Sequence, residues 1–499
     1  MTDHLEVRKG AYYDSVSLMQ VSRQVAGAAG VSAAQVAMAT ELNLEVIGGM
    51  GFSVPEAVQP NELVVAIRAE DEDGVAAGLA ALEQALGALK SAGIQSGGFG
   101  DAPPPRTLGA AVSRAGATLA LVSVPGEYAT LEALDALGRG VSVMLFSDNV
   151  PVADEVRLKE AAARADLLVM GPDCGTAVVG GVALGFANVV RRGPVGIVAA
   201  SGTGAQQVMA LLDAAGVGVS HCLGVGGRDL SAAVAGRSTR QALAALALDE
   251  GTEAVVVVSK PPAPEVLADL EAYAAGLGVP VHWAILGAGR PDLTAATEAA
   301  LAATGVDVPQ WPSWEGAATG AVGGHLRGLF CGGTLADEAM LIASAELGGI
   351  RSNIPLSPEL ALGADLRTDG HAVIDFGDDT LTRGRAHPMI DPTLRLERLR
   401  AEAADPTCGV LLLDLVLGHG AHADPAPELA AAIEAARESA GRPLPVVVSL
   451  TGTTGDPQGL ERSAAILHQA GATVYLSNAQ ATRHAVSLVT GTDHQEPSR

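Results

Sequence analysis

Aromatic residues make up only 3% of the 499-residue chain. So few ring faces exclude a surface that stacks bases. Cationic residues are also scarce: 31 Lys and Arg stand against 56 Asp and Glu, a net charge of −25. Tracking a phosphate backbone needs a basic footprint, so nucleic acid is not an expected partner. The acidity is read as serving solubility. The four cysteines, Cys174, Cys222, Cys331 and Cys408, are scattered without CxxC spacing. That argues against a disulfide scaffold or a zinc site, and a cytoplasmic location is expected. No apolar run approaches the roughly 20 uninterrupted residues of a spanning helix, so no membrane partner is expected. The opening Met1-Thr2-Asp3-His4-Leu5-Glu6 does not read as a signal peptide.

What the chain does have is small apolar residues. Hydrophobic residues reach 48%, ample material for packed parallel sheets, and the length suggests about three domains. Residues 1–95 read as β-α-β-β-α, the order of a small ferredoxin-like α+β sandwich, with strands at Leu5–Arg8, Val36–Leu42 and Glu62–Ala69. Ser91–Pro105, with its glycines and Pro103-Pro104-Pro105, reads as a linker. Residues 106–170 alternate helix and strand as half of a Rossmann-like, CoA-binding-like domain. Its other half, where a G-x-G-x-x-G turn would sit, is missing from the sequence. Residues 171–300 and 326–490 read as two flavodoxin-like modules with parallel sheets, joined by a segment holding Pro309, Trp311, Pro312 and Trp314.

The two modules repeat one grammar. Gly196–Ala200 is a short buried strand that stops at Ser201-Gly202-Thr203-Gly204 and enters a helix. Leu326–Phe330 does the same at Cys331-Gly332-Gly333-Thr334. Three further pairs follow in the same order: Cys222–Asp229 with Ala372–Asp379, Ala254–Ser259 with Gly409–Leu415, and Val279–Leu286 with Pro445–Leu450. Four corresponding elements mark a duplicated α/β unit. Hydroxyl residues suit helix N-caps, and glycines allow close backbone approach. Free amides and the helix dipole then favour an anion, most naturally a phosphate. Ser201, Gly202, Thr203, Gly204, Gly332, Gly333 and Thr334 are the candidate anion donors; each turn read alone is equally an ordinary strand-to-helix connection.

These elements in this order resemble the succinyl-CoA synthetase superfamily of acyl-CoA ligases over residues 106–490. Gly171-Pro172-Asp173-Cys174 is similar to its turn between domains, and Val225-Gly226-Gly227-Arg228-Asp229 to its Gly-Gly-Asp turn. That likeness adds Gly226 and Gly227 to the binding candidates. Within the superfamily the chain looks like the FdrA family, on four segments. They are Gly171–Thr176, Cys331–Leu335, His387-Pro388-Met389-Ile390-Asp391-Pro392, and Leu413–His422. The resemblance implies a subunit of oxamate carbamoyltransferase in anaerobic allantoin breakdown, working with two partner subunits. The implied reaction interconverts oxalurate and phosphate with oxamate and carbamoyl phosphate. The ligases carry phosphate on a histidine in a Gly-His-Ala-Gly segment; the corresponding stretch here is Leu286-Gly287-Ala288-Gly289-Arg290-Pro291. With that histidine, the CoA-cradling turn and an ATP-grasp domain all missing from the sequence, CoA or nucleotide as cofactor is doubtful. An NDP-forming acyl-CoA synthetase component and a non-catalytic scaffold of the same fold stand as alternatives.

Carbamoyl transfer has to hold phosphate, stabilise the carbonyl oxygen and place the nucleophile. His419 and His422 follow the strand Gly409–Leu417, at the edge where α/β sheets bind ligands. They are candidate acid–base groups, or else loop histidines; no third ligand is near them for a metal. Arg383 and Arg385 are candidates for holding a substrate carboxylate, or else members of a salt-bridged loop. Cys174 and Cys331 read as thiolates at helix ends or as small buried fillers. Lys260 reads as a solvated lysine or an anion partner.

Overall fold

Leu63-Val64-Val65-Ala66-Ile67 is apolar at every position, and in the computed structural model it opens the central strand of a small sheet, covered on both faces. The structure describes residues 1–9, 13, 15–54, 58–60, 62–93, 105, 107–316, 322–382 and 386–491. The chain forms two compact units, residues 1–107 with 380–386 and residues 108–379 with 387–499.

The first unit runs β1 (Thr2–Arg8), α1 (Ser15–Ala26), β2 (Val31–Met38), α2 (Glu41–Gly49), β3 (Leu63–Ala69) and α3 (Glu72–Gly93). Its antiparallel sheet has the order β1-β3-β2, a ferredoxin-like α+β layer. Leu63, Val65 and Ile67 pack with Leu18, Val21 and Val25 of α1 and Leu82 and Leu86 of α3. Val64 and Ala66 face Ile47 of α2 and Phe52 on the other side. One reading is corrected here. The strand expected at Val36–Leu42 is β2, ending at Met38, and a helix, α2, follows it. Thr40 starts that helix by accepting from the Asn43 amide at 3.3 Å, a local cap that outweighs the β-like character of the segment before it. Residues 94–104 of the expected linker lie outside the described residues.

The second unit opens with α4 (Leu108–Ala115), β4 (Leu119–Val122), α5 (Gly126–Leu137), β5 (Ser142–Leu145), α6 (Val152–Arg164) and β6 (Val169–Met170). These make a three-stranded sheet, β4-β5-β6, with parallel pairs. Next come β7 (Thr176–Val179), β8 (Val182–Gly185), β9 (Arg192–Ala199), α7 (Gly202–Ala214), β10 (Val219–Gly224) and α8 (Arg237–Leu248). Then follow β11 (Ala254–Ser259), α9 (Pro264–Ala274), β12 (Val281–Ile285) and α10 (Leu293–Ala303). The last stretch holds β13 (Ser313–Trp314), β14 (His325–Phe330), α11 (Gly333–Leu347), β15 (Ala372–Asp375) and α13 (Thr393–Ala404); α12 (Asp379–Thr382) follows β15 in the chain, and from Thr380 it belongs to the first unit. It ends with β16 (Cys408–Val416), α14 (Ala426–Ala440), β17 (Val446–Thr451), α15 (Leu460–Gln469), β18 (Thr473–Tyr475) and α16 (Asn478–Thr490).

The duplication read from the sequence reappears as topology. One sheet has the order β12-β11-β9-β10-β7-β8 and the other β13-β18-β17-β16-β14-β15. The four strands from β9 to β12 lie in the same order as the four from β14 to β17, and the pairs within each set are parallel. The additions differ: an antiparallel hairpin, β7–β8, flanks the first set, and β18 with β13 flanks the second. β13 lies inside the segment read as a mere connection.

Two polar devices hold the second unit together. Lys159 of α6, fully buried, donates to Glu155 at 2.7 Å, to Asp229 at 2.7 Å and to the Val225 carbonyl at 2.9 Å. Asp229 also accepts from the amides of Ser238 and Thr239 at the start of α8. The second device is a clasp between the two large sheets. The Asn188 amide group donates to Asp456 at 2.7 Å and to the Leu417 carbonyl at 3.0 Å. Asp456 accepts from the Val189 amide at 2.7 Å, and Thr453 donates to the Val189 carbonyl at 2.6 Å. Gln207 of α7 reaches across to Thr451, Leu476 and Asn478.

Removing Lys159 would strand two buried carboxylates. Lys159→Ala should cost about 3–5 kcal/mol, visible in a urea titration followed by circular dichroism. A loss under 1 kcal/mol would show that water or a side-chain shift relieves the pair.

Candidate functional site

Each candidate turn lies at the carboxyl end of a central strand, β9 or β14, because the Gly/Ser/Thr run stops the ladder and starts a helix. The two helices begin face to face. Ser201 donates to the Thr334 hydroxyl at 2.6 Å. A Cβ built on Gly332 would lie 2.8 Å from the Thr203 hydroxyl, so only glycine permits that approach. The structure thus brings Ser201–Gly204 and Gly332–Thr334 into one locus.

Not every amide there is free. The Gly204 amide donates to Ser201 Oγ at 3.0 Å. Asp414 of β16 takes the amides of Cys331 at 2.8 Å and Gly332 at 2.9 Å. As amide donors to an anion, Gly204 and Gly332 are therefore corrected: both N–H groups are spent inside the protein. The amides of Gly202, Thr203, Gly333, Thr334 and Leu335 have no acceptor among the described residues. They are the first-turn groups that a helix leaves open.

Charged side chains surround this locus. Arg395 of α13 donates to Asp414 at 2.6 Å, and both are buried. Burial raises the Asp414 carboxyl, while Arg395 and the two amides work against that rise. Lys260, in the loop after β11, pairs with Asp337 of α11 at 3.1 Å. Burial lowers the Lys260 ammonium, but Asp337, Asp375 and Asp378 outweigh it and keep it charged. Asp375, at the end of β15, is pushed up to about 7 by burial first, with Lys260 and the Gly377 amide opposing and Asp414 and Asp378 adding to the rise.

Solvent reaches Asp173, yet protein atoms crowd its carboxyl. That desolvation, then Asp379 and Asp148, raise it to about 7 against Arg228 and Lys260. His387 is pushed down to about 4 by burial; its Nδ1 accepts from the Met389 amide at 3.3 Å, and its ring lies 5.9 Å from that of Phe186. It is a neutral imidazole at pH 7. Among the described residues no three His, Cys, Asp or Glu side chains gather in a way that would hold a metal ion.

Other sequence candidates lie apart from the helix starts in their contacts. His419 is exposed, and its amide donates to the Ala187 carbonyl at 2.8 Å. His422 Nδ1 accepts from the Asp424 amide at 3.1 Å, and the ring borders a small cavity shared with Met389, Arg395 and Leu429. Gly226 packs against the Pro172 carbonyl, and Gly227 faces open space beside Arg228. Arg383 and Arg385 lie outside the described residues.

Cys174 and Cys331 are buried. Burial lifts the Cys174 thiol to about 12 and the Cys331 thiol far above its ordinary value, so they fill space and are not thiolates. The residues missed by pattern are Asp414 and Arg395. The signal was a lone carboxylate inside Leu411-Leu412-Leu413-Asp414-Leu415-Val416, a strand buried at every position, where an acid must be paired.

A model of the AllF heavy metal-associated domain matches residues 1–100, and the CoA-ligase model matches residues 329–488. The alpha subunit of an ADP-forming succinate–CoA ligase from Methanothermobacter thermautotrophicus is 30% identical over 178 residues, 34% of this chain and 58% of that one. The chain thus spans little more than half of that relative's length. A dinucleotide forming acetyl-coenzyme A synthetase from Ca. Korarchaeum cryptofilum, solved with phosphate and ADP, aligns over 74% of this chain and 84% of that one. Its identity is 17% and its TM-score 0.26, too loose a likeness to carry an argument. The class is a succinyl-CoA synthetase-like α/β fold behind an AllF-type N-terminal domain. YahF of Escherichia coli K12 is 37% identical over 497 residues, 94% of this chain and 95% of its own. The chain belongs to the family of YahF.

Alkylation checks the thiol assignment. In the folded protein at pH 8, all four cysteines should resist iodoacetamide, followed by mass spectrometry, and all should react in urea. Rapid native labelling of Cys174 or Cys331 would restore the thiolate reading.

Proposed function

We propose that the chain is the phosphate-holding subunit of a carbamoyltransferase, interconverting oxalurate and phosphate with oxamate and carbamoyl phosphate. The observation that supports it most is the pair of opposed helix starts, whose amides at Gly202, Thr203, Gly333, Thr334 and Leu335 have no acceptor among the described residues, with Lys260 beside Gly333. Such a site holds an anion without a covalent step. The missing histidine in Leu286–Pro291 fits an acyl phosphate used directly. Two partner subunits complete the assembly in this reading, and neither CoA nor a nucleotide is assigned to this chain.

A second reading is favoured by the CoA-ligase match over residues 329–488. In it the chain is one component of an NDP-forming acyl-CoA synthetase, with the nucleotide handled on a partner.

The assay gives the complex isolated from its host oxalurate and phosphate and measures carbamoyl phosphate. Turnover is expected, and Gly333→Val should lower it by about 100-fold or more, the scale of losing one preorganised oxyanion donor. A Cβ at 333 would meet Asp375 Oδ2 at 2.6 Å. ADP formed from an acid, CoA and ATP, with no carbamoyl phosphate, would favour the ligase reading.

A further inference from the structure

Asp375 is 4% exposed, and its two carboxyl oxygens are treated differently by the fold. Oδ1 accepts from the Gly377 amide at 2.8 Å. The backbone is held on both sides by Asn353, which accepts from the Asp375 amide at 2.9 Å and donates to its carbonyl at 2.8 Å. Oδ2 has no hydrogen-bond partner among the described residues, and it is aimed at the start of α11. A Cβ placed on Gly333 would stand 2.6 Å from Oδ2 and 3.1 Å from Lys260 Nζ. The unpaired oxygen of a largely buried carboxyl, the Lys260 ammonium and the start of α11 at Gly333 therefore border the same small space.

We propose that Asp375 is the proton carrier of this site, taking up a proton when a phosphate-sized dianion docks on the facing helix starts and passing it to the nitrogen that leaves. This rests on the carbamoyl-transfer reading above.

The neighbours leave Asp375 as the group suited to that work. Lys260 faces it from the loop after β11 and stays charged. Asp337 of α11 is tied to Lys260. Asp414 of β16 is compensated by Arg395 of α13 and two amides. Asp378 lies on the same turn. His387 approaches from the Gly377 side, where a built Cβ would be 2.8 Å from its Nε2 and 3.1 Å from Asp375 Oδ1. It is neutral at pH 7 and has no second proton to give. The Cys331 thiol keeps its proton. A dianion arriving beside a carboxyl that already titrates near neutrality pushes it further toward the protonated form.

The step balances. A hydrogen phosphate oxygen bonds to the carbamoyl carbon, and the bond from that carbon to the amide nitrogen breaks. Nitrogen keeps the electron pair and takes the Asp375 proton. The P–OH proton of the attacking phosphate then returns to Asp375, so the acid is restored with no outside co-reactant.

Sulfate is the probe, because it does not titrate near neutral pH. Calorimetry of sulfate binding to the full chain, in buffers of different ionisation heat, measures the protons taken up. The wild type should take up a fraction of a proton at pH 7 and more at pH 8, where free Asp375 is ionised. Asp375→Asn should bind sulfate at least as well and take up none; Asp375→Glu, which keeps a carboxyl, should keep the uptake. Equal uptake in the wild type and Asp375→Asn overturns the assignment. In the phosphorolysis assay Asp375→Asn should lose about 100-fold or more of the turnover, as expected for a lost general acid, and full turnover overturns the proposal. Asp375-dependent uptake in a wild type that makes no carbamoyl phosphate would sink the reaction reading while upholding the proton carrier. A wild type that binds no sulfate would remove both.

Discussion

Two helix N-termini set head to head should repel, since each carries roughly half a positive charge. Here α7 and α11 begin close enough for Ser201 and Thr334 to share a hydrogen bond, so negative charge must be supplied nearby. Asp414 supplies it first, from below the second turn, by binding two amides at once. Asp337 and Asp375 stand close by as further buried acids, next to Lys260. Arg395 in turn keeps Asp414 from being a bare buried anion, which would be costly. The direction of the remaining amides follows from this arrangement. With Cys331 and Gly332 tied downward to β16, the next residues of α11 are left to face α7.

The two halves solve the same problem differently. In the first, the Ser201 hydroxyl caps its own helix, a neutral and local device. In the second, the cap at Gly332 has no side chain, and an acid from another strand takes over. Fixed charge is therefore concentrated on the second half, with Lys260 as the first half's answering cation. A duplicated fold has thus become asymmetric in its charges where the two helix starts meet.

What could be read from the sequence was local. A strand that stops at Gly/Ser/Thr and turns into a helix announces itself within a dozen residues, and its repetition in order gave the duplicated sheets. The half-domain before them was legible for the same reason. The Asp414–Arg395 and Lys260–Asp337 pairs were not, because their members stand on different elements and meet only after the sheets assemble. The histidine loop after β16 was picked out by its place at a carboxyl edge, which can serve either for docking or for binding. His419 leans on Ala187, and His422 steadies its own turn. The hairpin β7–β8 and the edge strand β13 are short, and their pairing depends on neighbours that no pattern within them specifies.

The clasp at Asn188, Val189, Thr453 and Asp456 bears on how a ligand arrives. Pulling the two large sheets apart would leave several buried donors and acceptors unmade, at about 1–3 kcal/mol each. A jaw that opens and shuts is thus an expensive motion for this molecule. The spacing of the two helix starts is therefore set by the fold itself, and any ion held between them would have to fit a rigid frame.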